Sequence, residues 1–478
     1  MNFDLEGASA MAIGIDETTG IGAGLRPHFR GALLEPGEEG YDEARRVWNG
    51  LADRRPALIA RCAGADDVAE AVRFASERDL LVSVRGGGHS VGGHGVCDGG
   101  VMIDLSLMKA ISVNPETRVA TASGGVLWGE LDRATQRFGL ALTGGMISHT
   151  GIGGLTLGGG LGNLMRKLGL TVDSLRAVDL VTAEGERVRV DGESDPDLFW
   201  GLRGGGGNFG IATTFEYDVH PIGPMVLGGP MLWPIRDAPA VLRHLRENLE
   251  DAPDELGIAL FTRLAPPMPF IKPDQYGKPV LMLLVLWSGD PADGRKVIAP
   301  LRAIGSPLAD AVTIVPYAAL QAMGDQGAPH GNHYYWKSHR LPGLTEEIID
   351  VLVDAAHNIT SPFSQIGGWL IGGAASRVDA SQTAVGDRET GLELNVTAGW
   401  LPTVGEPDPH VNWVRRYYDM LGPFSRGVYA NFVSDEEDGV QSAYGDRLAR
   451  LTALKDRMDP TNFFRLNANI APSNGGVR

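Results

Sequence analysis

The sequence predicts an α+β protein of more than one domain. Three observations carry that expectation. At 478 residues, the chain is long enough for two or three domains and a sizeable buried core. Its first half alternates short strand-like runs with helices. Composition then shifts near Pro221–Pro224, and residues 225–425 carry longer apolar runs beside amphipathic stretches.

The elements follow in chain order. "DDVAEAVRFASERD" (66–79) places Val68, Ala71, Val72 and Ala75 on one helical face. "LLVSV" (80–84) reads as a buried strand ending at Arg85, and "VMIDL" (101–105) as another. "VLWGELDRATQRFG" (126–139) has Leu127, Leu131, Ala134 and Phe138 at helical spacing, with Gly139 as its stop. "RAVDLVTAEGERVRV" (176–190) is a hairpin turning through Glu184 and Gly185, and "IATTFEYDV" (211–219) alternates as a strand. In the second half, "PVLMLLVLW" (279–287) reads as a strand and "LTEEIIDVLVDAAHNI" (344–359) as a helix. The stretch 456–472 lacks strong periodicity, and no solenoid repeat is found.

Bulk properties narrow the function. A net charge of −17 argues against nucleic acid or anionic membrane as partners. Cys62 and Cys97 fit neither a zinc spacing nor a disulfide framework, and no metal site is expected. No window approaches a membrane span. The opening residues carry Asp4, Glu6, Asp16 and Glu17 and no basic leader, so residues 1–33 read as an extension and a cytoplasmic protein is expected.

Glycine is the outlier. The 66 glycines cluster at 86–100, 144–162, 204–210 and 367–373. Clustering marks places where backbone must approach something closely. "GGGNFG" (205–210) satisfies G-x-G-x-x-G, but a strand pattern follows it instead of a helix, and no acidic residue closes the unit. No GK[ST] follows any glycine run, so a P-loop is excluded too. Each run alone is compatible with a tight turn. Together they suit one extended cofactor, its phosphates held by backbone N–H groups.

"SVRGGGHS" (83–90), "GGVMIDLS" (99–106), "TGIGGLTLGGGLGNLMRKLGLTVD" (150–173), "LFWGLRGGGGNFG" (198–210) and "DPTNFFRLNANI" (459–470) occur in that order. Together they resemble the berberine bridge enzyme-like FAD-linked oxidases of the vanillyl-alcohol oxidase, or PCMH-type FAD-binding, superfamily. The resemblance implies an FAD domain of two α+β subdomains over 34–224. A substrate domain with an antiparallel sheet flanked by helices would span 225–425, and 426–478 would return to the FAD domain. It implies FAD bonded at the flavin 8α carbon to His89, with His94 as the fallback, and a neutral imidazole suits that bond. Further cofactor contacts would fall on Arg85, Gly86, Gly87, Gly88 and Ser90 in the first loop. The second loop would supply Ser148, Thr150, Gly153, Gly154, Gly158, Gly159, Gly162 and Asn163, the third Gly210 and Ile211, and the closing segment Asn467 and Asn469. Relatives with a second, cysteinyl bond carry the thiol where this chain has Ile147, so a single bond through His89 is expected, which favours a smaller substrate or a secondary metabolite.

"GVYANFVSDEEDG" (427–439) resembles the family's Y-x-N segment. It makes Tyr429 the candidate general base and Asn431 its hydrogen-bonding support. A free phenol titrates near 10, so a base at neutral pH needs a nearby cation or donors; Lys337 is one candidate cation. Tyr334, Tyr335 and Trp336 are candidates for the pocket wall, while Trp400 and Trp413 read as core. The function implied is hydride transfer from a hydroxyl or activated C–H of a small organic molecule to FAD, with dioxygen reoxidising it to give hydrogen peroxide. A dehydrogenase, an oxygenating relative, an oligosaccharide oxidase and a non-catalytic flavin-binding protein stay open as alternatives, as does the oligomeric state.

Overall fold

A computed structural model describes residues 20–248, 251–432 and 439–475. The first sheet runs in the order Ala32–Leu34, Leu58–Arg61, Val101–Asp104, Val82–Arg85. Its last three strands are parallel, with the helix Ala65–Glu77 as a crossover. Helices cover such strands, which explains why Leu58, Ile59, Ala60, Val101, Met102 and Ile103 are all fully buried.

The second sheet is antiparallel, in the order Ile111–Asn114, Val119–Ser123, Ile211–Asp218, Leu175–Val181, Arg187–Asp191. The hairpin at 176–190 is present, and Gly185 takes the left-handed conformation (φ +75°) that its turn requires. The expected helix over 126–139 is shorter, Trp128–Gln136. Phe138 lies beyond it and is 48% exposed, so it is not part of the apolar face.

The third sheet is antiparallel and eight-stranded. It includes Met225–Pro234, Leu256–Leu264, Pro279–Trp287, His333–Leu341, Gln365–Ile371 and Gly391–Trp400. The helices Ala238–Asn248, Glu346–His357 and Asp408–Leu421 bury one face of it around Trp233, Trp400 and Trp413. Its other face looks toward the first two sheets, so the strands read as continuous apolar runs.

Two sequence expectations change. Residues 1–19 lie outside the described residues, but 20–33 are no mere extension. Leu25 is buried in the core of the first sheet, Ile21 and Phe29 pack against that core, and Ala32–Leu34 is an edge strand. The aperiodic C-terminal stretch follows the helix Leu448–Met458 and docks by polar contacts instead of an apolar stripe. Lys455, fully buried, donates to Asp459 Oδ2 (2.7 Å), Asn208 O (2.9 Å) and Phe464 O (3.0 Å). Asp459 in turn accepts the backbone N–H groups of Phe463 and Phe464, whose rings enter the first core. No helix among the described residues is long and apolar enough to cross a membrane.

Lys455→Met leaves Asp459 buried without its cation. Breaking such a pair costs about 3–5 kcal/mol, and the expected outcome is a correspondingly lower urea midpoint with unchanged slope. An unchanged midpoint would show that the pair does not hold this segment.

Candidate active site

The glycine loops meet at one place. A Cβ on Gly87 would lie 2.3 Å from the backbone nitrogen of Gly151, and one on Gly151 equally close to Gly87 N. A Cβ on Gly124 would lie 2.4 Å from Ala212 O. These glycines let one backbone touch another. Gly154 and Gly207 differ: no protein atom lies within 4 Å of where their Cβ would stand, and both line a cavity of about 950 Å³. One wall of that cavity is formed by the glycine loops, with much backbone open, and the third sheet forms the opposite wall.

His89 reaches the cavity from the first loop. Its Nε2 lies 3.1 Å from Nδ1 of His149, its ring stacks on Trp48 at 4.3 Å, and His330 stands edge-on at 6.2 Å. Burial, with the two other histidines alongside, holds its pKa well below the ordinary value. The imidazole is therefore neutral at pH 7.

Of the sequence-derived candidates, Gly86, Gly87, Gly88, Ser90, Thr150, Gly153, Gly154, Gly210, Ile211 and Asn467 also line the cavity, as do the fallback His94 and Ile147. Seven others stand behind the wall. Arg85 Nη1 donates to Ala44 O (2.6 Å). Ser148 is tied to Asp325 through its N–H (2.7 Å) and Oγ (2.6 Å). Asn163 Nδ2 donates to Gln321, and a Cβ on Gly162 would strike Gly144 O at 1.9 Å. Gly158 and Gly159 instead make room for Asn431 and Tyr429. Asn469 is outside the lining, with Oδ1 buried and unpartnered. The first six shape the loops, and none of the seven is among the residues lining the cavity.

Tyr429 and Asn431 both line the cavity. Tyr429 Oη accepts the N–H of Gly160 (2.7 Å) and Nδ2 of Asn431 (3.0 Å). Gly160 must be glycine: its φ is +82°, and a Cβ would lie 2.0 Å from Thr171 Oγ1. Burial pushes the phenol up to about 12, despite those two donors. The expected cation is not there. Lys337 alternates onto the opposite face of its strand, where Nζ sits 4.5 Å over the ring of Tyr418. The buried charges sensed by Tyr429 are Glu393 and Arg340, paired with each other at 2.9 Å. Tyr334 and Trp336 line the cavity, whereas Tyr335 packs on the helix side.

The likeness to known proteins agrees with this geometry. Residues 56–191 match the family described as FAD binding domain, and residues 428–471 match berberine and berberine like. An FAD-linked oxidoreductase of Dictyostelium discoideum is 30% identical over 449 residues, covering 93% of this chain and 95% of that one. The chain belongs to the berberine bridge enzyme-like FAD-linked oxidases. The crystal structure of 6-hydroxy-D-nicotine oxidase from Arthrobacter nicotinovorans superposes with a TM-score of 0.84 at 27% identity, over 93% of this chain and 98% of that one. Glucooligosaccharide oxidase from Acremonium strictum, whose FAD carries both a cysteinyl and a histidyl bond, shares the fold (TM-score 0.82, 24% identity, 95% of this chain and 98% of that one).

This berberine bridge enzyme-like chain is an FAD-linked oxidoreductase, and its cavity fits the cofactor. Gly154 and Gly207 leave bare backbone with open space before it, and Asn467 Oδ1 is buried there without a partner. Of the opposite wall, sequence reasoning reaches only Tyr334 and Trp336. Strand register aligns Arg263, Gln365, Thr397 and Trp336 in one row across four neighbouring strands. Phe261, Gly367 and Asn395 lie in the next row. All seven line the cavity. No local motif marks Arg263, Gln365, Thr397, Phe261 or Asn395; only the pairing of distant strands brings them together.

Two glycine substitutions separate the roles of the loops. Gly87→Ala drives a methyl into backbone and is expected to destabilise the fold by about 1–3 kcal/mol, read by thermal melting. Gly154→Leu is expected to leave the melting of the flavin-free protein unchanged while cutting the fraction of protein that acquires FAD about tenfold or more. Full flavin content in the Leu variant would remove this wall from the cofactor site.

Proposed function

We propose that the chain is an oxidase that holds FAD covalently through His89 and oxidises a hydroxyl or activated C–H of a small organic substrate, with dioxygen as final acceptor. Bound FAD supplies the two-electron acceptor that this reaction needs and passes the pair to dioxygen. The observation that carries the reading is the placement of Tyr429. Tyr429 lines the same cavity as His89, and two fixed donors point at its oxygen.

Those donors are what a phenolate needs. Gly160 N–H and Asn431 Nδ2 stabilise the negative charge that Oη must carry before Tyr429 can take the substrate proton. Asn431 is itself steadied, its Nδ2 also donating to Leu155 O (3.2 Å). Burial opposes ionisation and keeps Tyr429 a phenol at neutral pH. Glu393 is the alternative carboxylate on the sheet, but it lies outside the cavity lining and is engaged by Arg340.

His89 suits the tether because it is neutral, and Trp48 and His149 fix its plane. A second tether lacks its thiol: Ile147 occupies that part of the wall, while Cys62 and Cys97 are buried elsewhere.

Tyr429→Phe is expected to slow anaerobic flavin reduction about 10²–10⁴-fold with the flavin still bound. A base must lose its proton to act. Since burial raises the phenol to about 12, the wild-type reduction rate should climb with pH through the alkaline range, and that limb should vanish in Tyr429→Phe. An unchanged rate and pH profile in the variant would remove Tyr429 from the proton transfer.

A further inference from the structure

Arg263 is the only Lys, Arg, Asp or Glu among the described residues lining the cavity. It stands on the strand Leu256–Leu264, on the sheet wall opposite the glycine loops. Its guanidinium lies beside Gly327, with Nη1 3.7 Å from where a Cβ there would stand. Nε is buried without a hydrogen-bond partner, and no carboxylate among the described residues pairs with the group. Burial, unopposed by any anion, lowers its pKa to about 10. A chain with 59 acidic residues against 42 basic ones leaves this one cation uncompensated inside its cavity. Part of the side chain stays open to the cavity, so an anion that enters from outside can pair with a guanidinium that has no carboxylate of its own.

The neighbours narrow that partner. Gln365, directly across from Arg263, has Oε1 buried and unsatisfied. Trp336 Nε1, in the same row, and Asn395 Oδ1, in the next, are also buried without partners. Phe261, Met282 and Trp369 supply apolar surface around them. The planar fork of arginine matches a carboxylate through two parallel hydrogen bonds. One guanidinium with no second cation suits a single negative charge better than a phosphate dianion.

We propose that the substrate is a carboxylic acid on an apolar or aromatic frame, its carboxylate received by Arg263 and a hydroxyl or amide group read by Gln365 or Asn395. This rests on the reading of the cavity as an FAD and substrate site, and names the substrate class for it. The pyrophosphate of FAD is the other anion available to the cavity. Arg263 belongs to the sheet wall, whereas backbone N–H groups line the loops opposite, so the substrate is the assigned partner.

The test uses the flavin-loaded wild-type protein, Arg263→Gln and Arg263→Lys. Each is titrated with matched acid and primary-amide pairs: benzoate and benzamide, 4-hydroxybenzoate and its amide, mandelate and its amide. Binding is read from the change in flavin absorbance, and FAD content is measured alongside. The wild type is expected to bind at least one acid about tenfold or more tightly than its amide. That preference should collapse in Arg263→Gln and partly survive in Arg263→Lys, with FAD content equal in all three. A wild type that prefers no acid over its amide overturns the proposal, as does a preference that persists in Arg263→Gln. Loss of FAD from Arg263→Gln overturns it too, by assigning the guanidinium to the cofactor phosphates. A wild-type protein that carries no flavin would instead defeat the preceding reading of the cavity, before any acid is added.

Discussion

Gly87 and Gly151 touch through their backbones, and a methyl group on either would lie within 2.3 Å of the other chain segment. The rest of the site depends on that contact. It brings the loop after the strand Val82–Arg85 against the loop that opens the helix Ile152–Leu157, leaving stretches of open peptide backbone between the side chains of His89, Ser90 and Ile147. Peptide N–H groups suit phosphate oxygens and allow a flat ring to lie close. The facing wall is the reverse: a sheet whose side chains alternate outward and therefore differ from row to row. One wall can hold a common cofactor while the other selects what is oxidised.

Desolvation explains the proton and charge states at the site. It keeps His89 neutral, raises the Tyr429 phenol, and lowers the Arg263 guanidinium. Each shift has burial as its largest cause. In such a cavity, hydrogen bonds to Tyr429 Oη count for more than they would in water. The donors come from the glycine loop at Gly160 and from the Y-x-N segment at Asn431.

Local motifs made much of this legible. The glycine clusters, His89 and Tyr429 sit in short segments whose pattern carries its own meaning, and the helix Ala65–Glu77 and the hairpin through Gly185 follow from periodicity and turn chemistry. What failed was whatever depends on distant pairing or on which side of a strand is in view. Lys337 was a reasonable cation beside Tyr334 and Trp336, but strands alternate, and an odd offset sent it to the helix face with Tyr335. Arg263, Gln365 and Thr397 form one row only because three strands far apart in sequence take a common register. Ser148 and Asn163 lie within the matching loop yet are spent on Asp325 and Gln321. The segment holding Leu25 looked like an extension because its few apolar residues show no period, though they close the first core.

The proposed tether at His89 is the central claim, and peptide mapping tests it most directly. Trypsin should release residues 86–109 as one peptide, since no lysine or arginine lies between Arg85 and Lys109. In acid-denatured wild-type protein that peptide should carry the mass of FAD, and fragmentation should place it on His89 and not on His94. An unmodified 86–109 peptide from flavin-replete protein, or a flavin found on His94, would contradict the central claim.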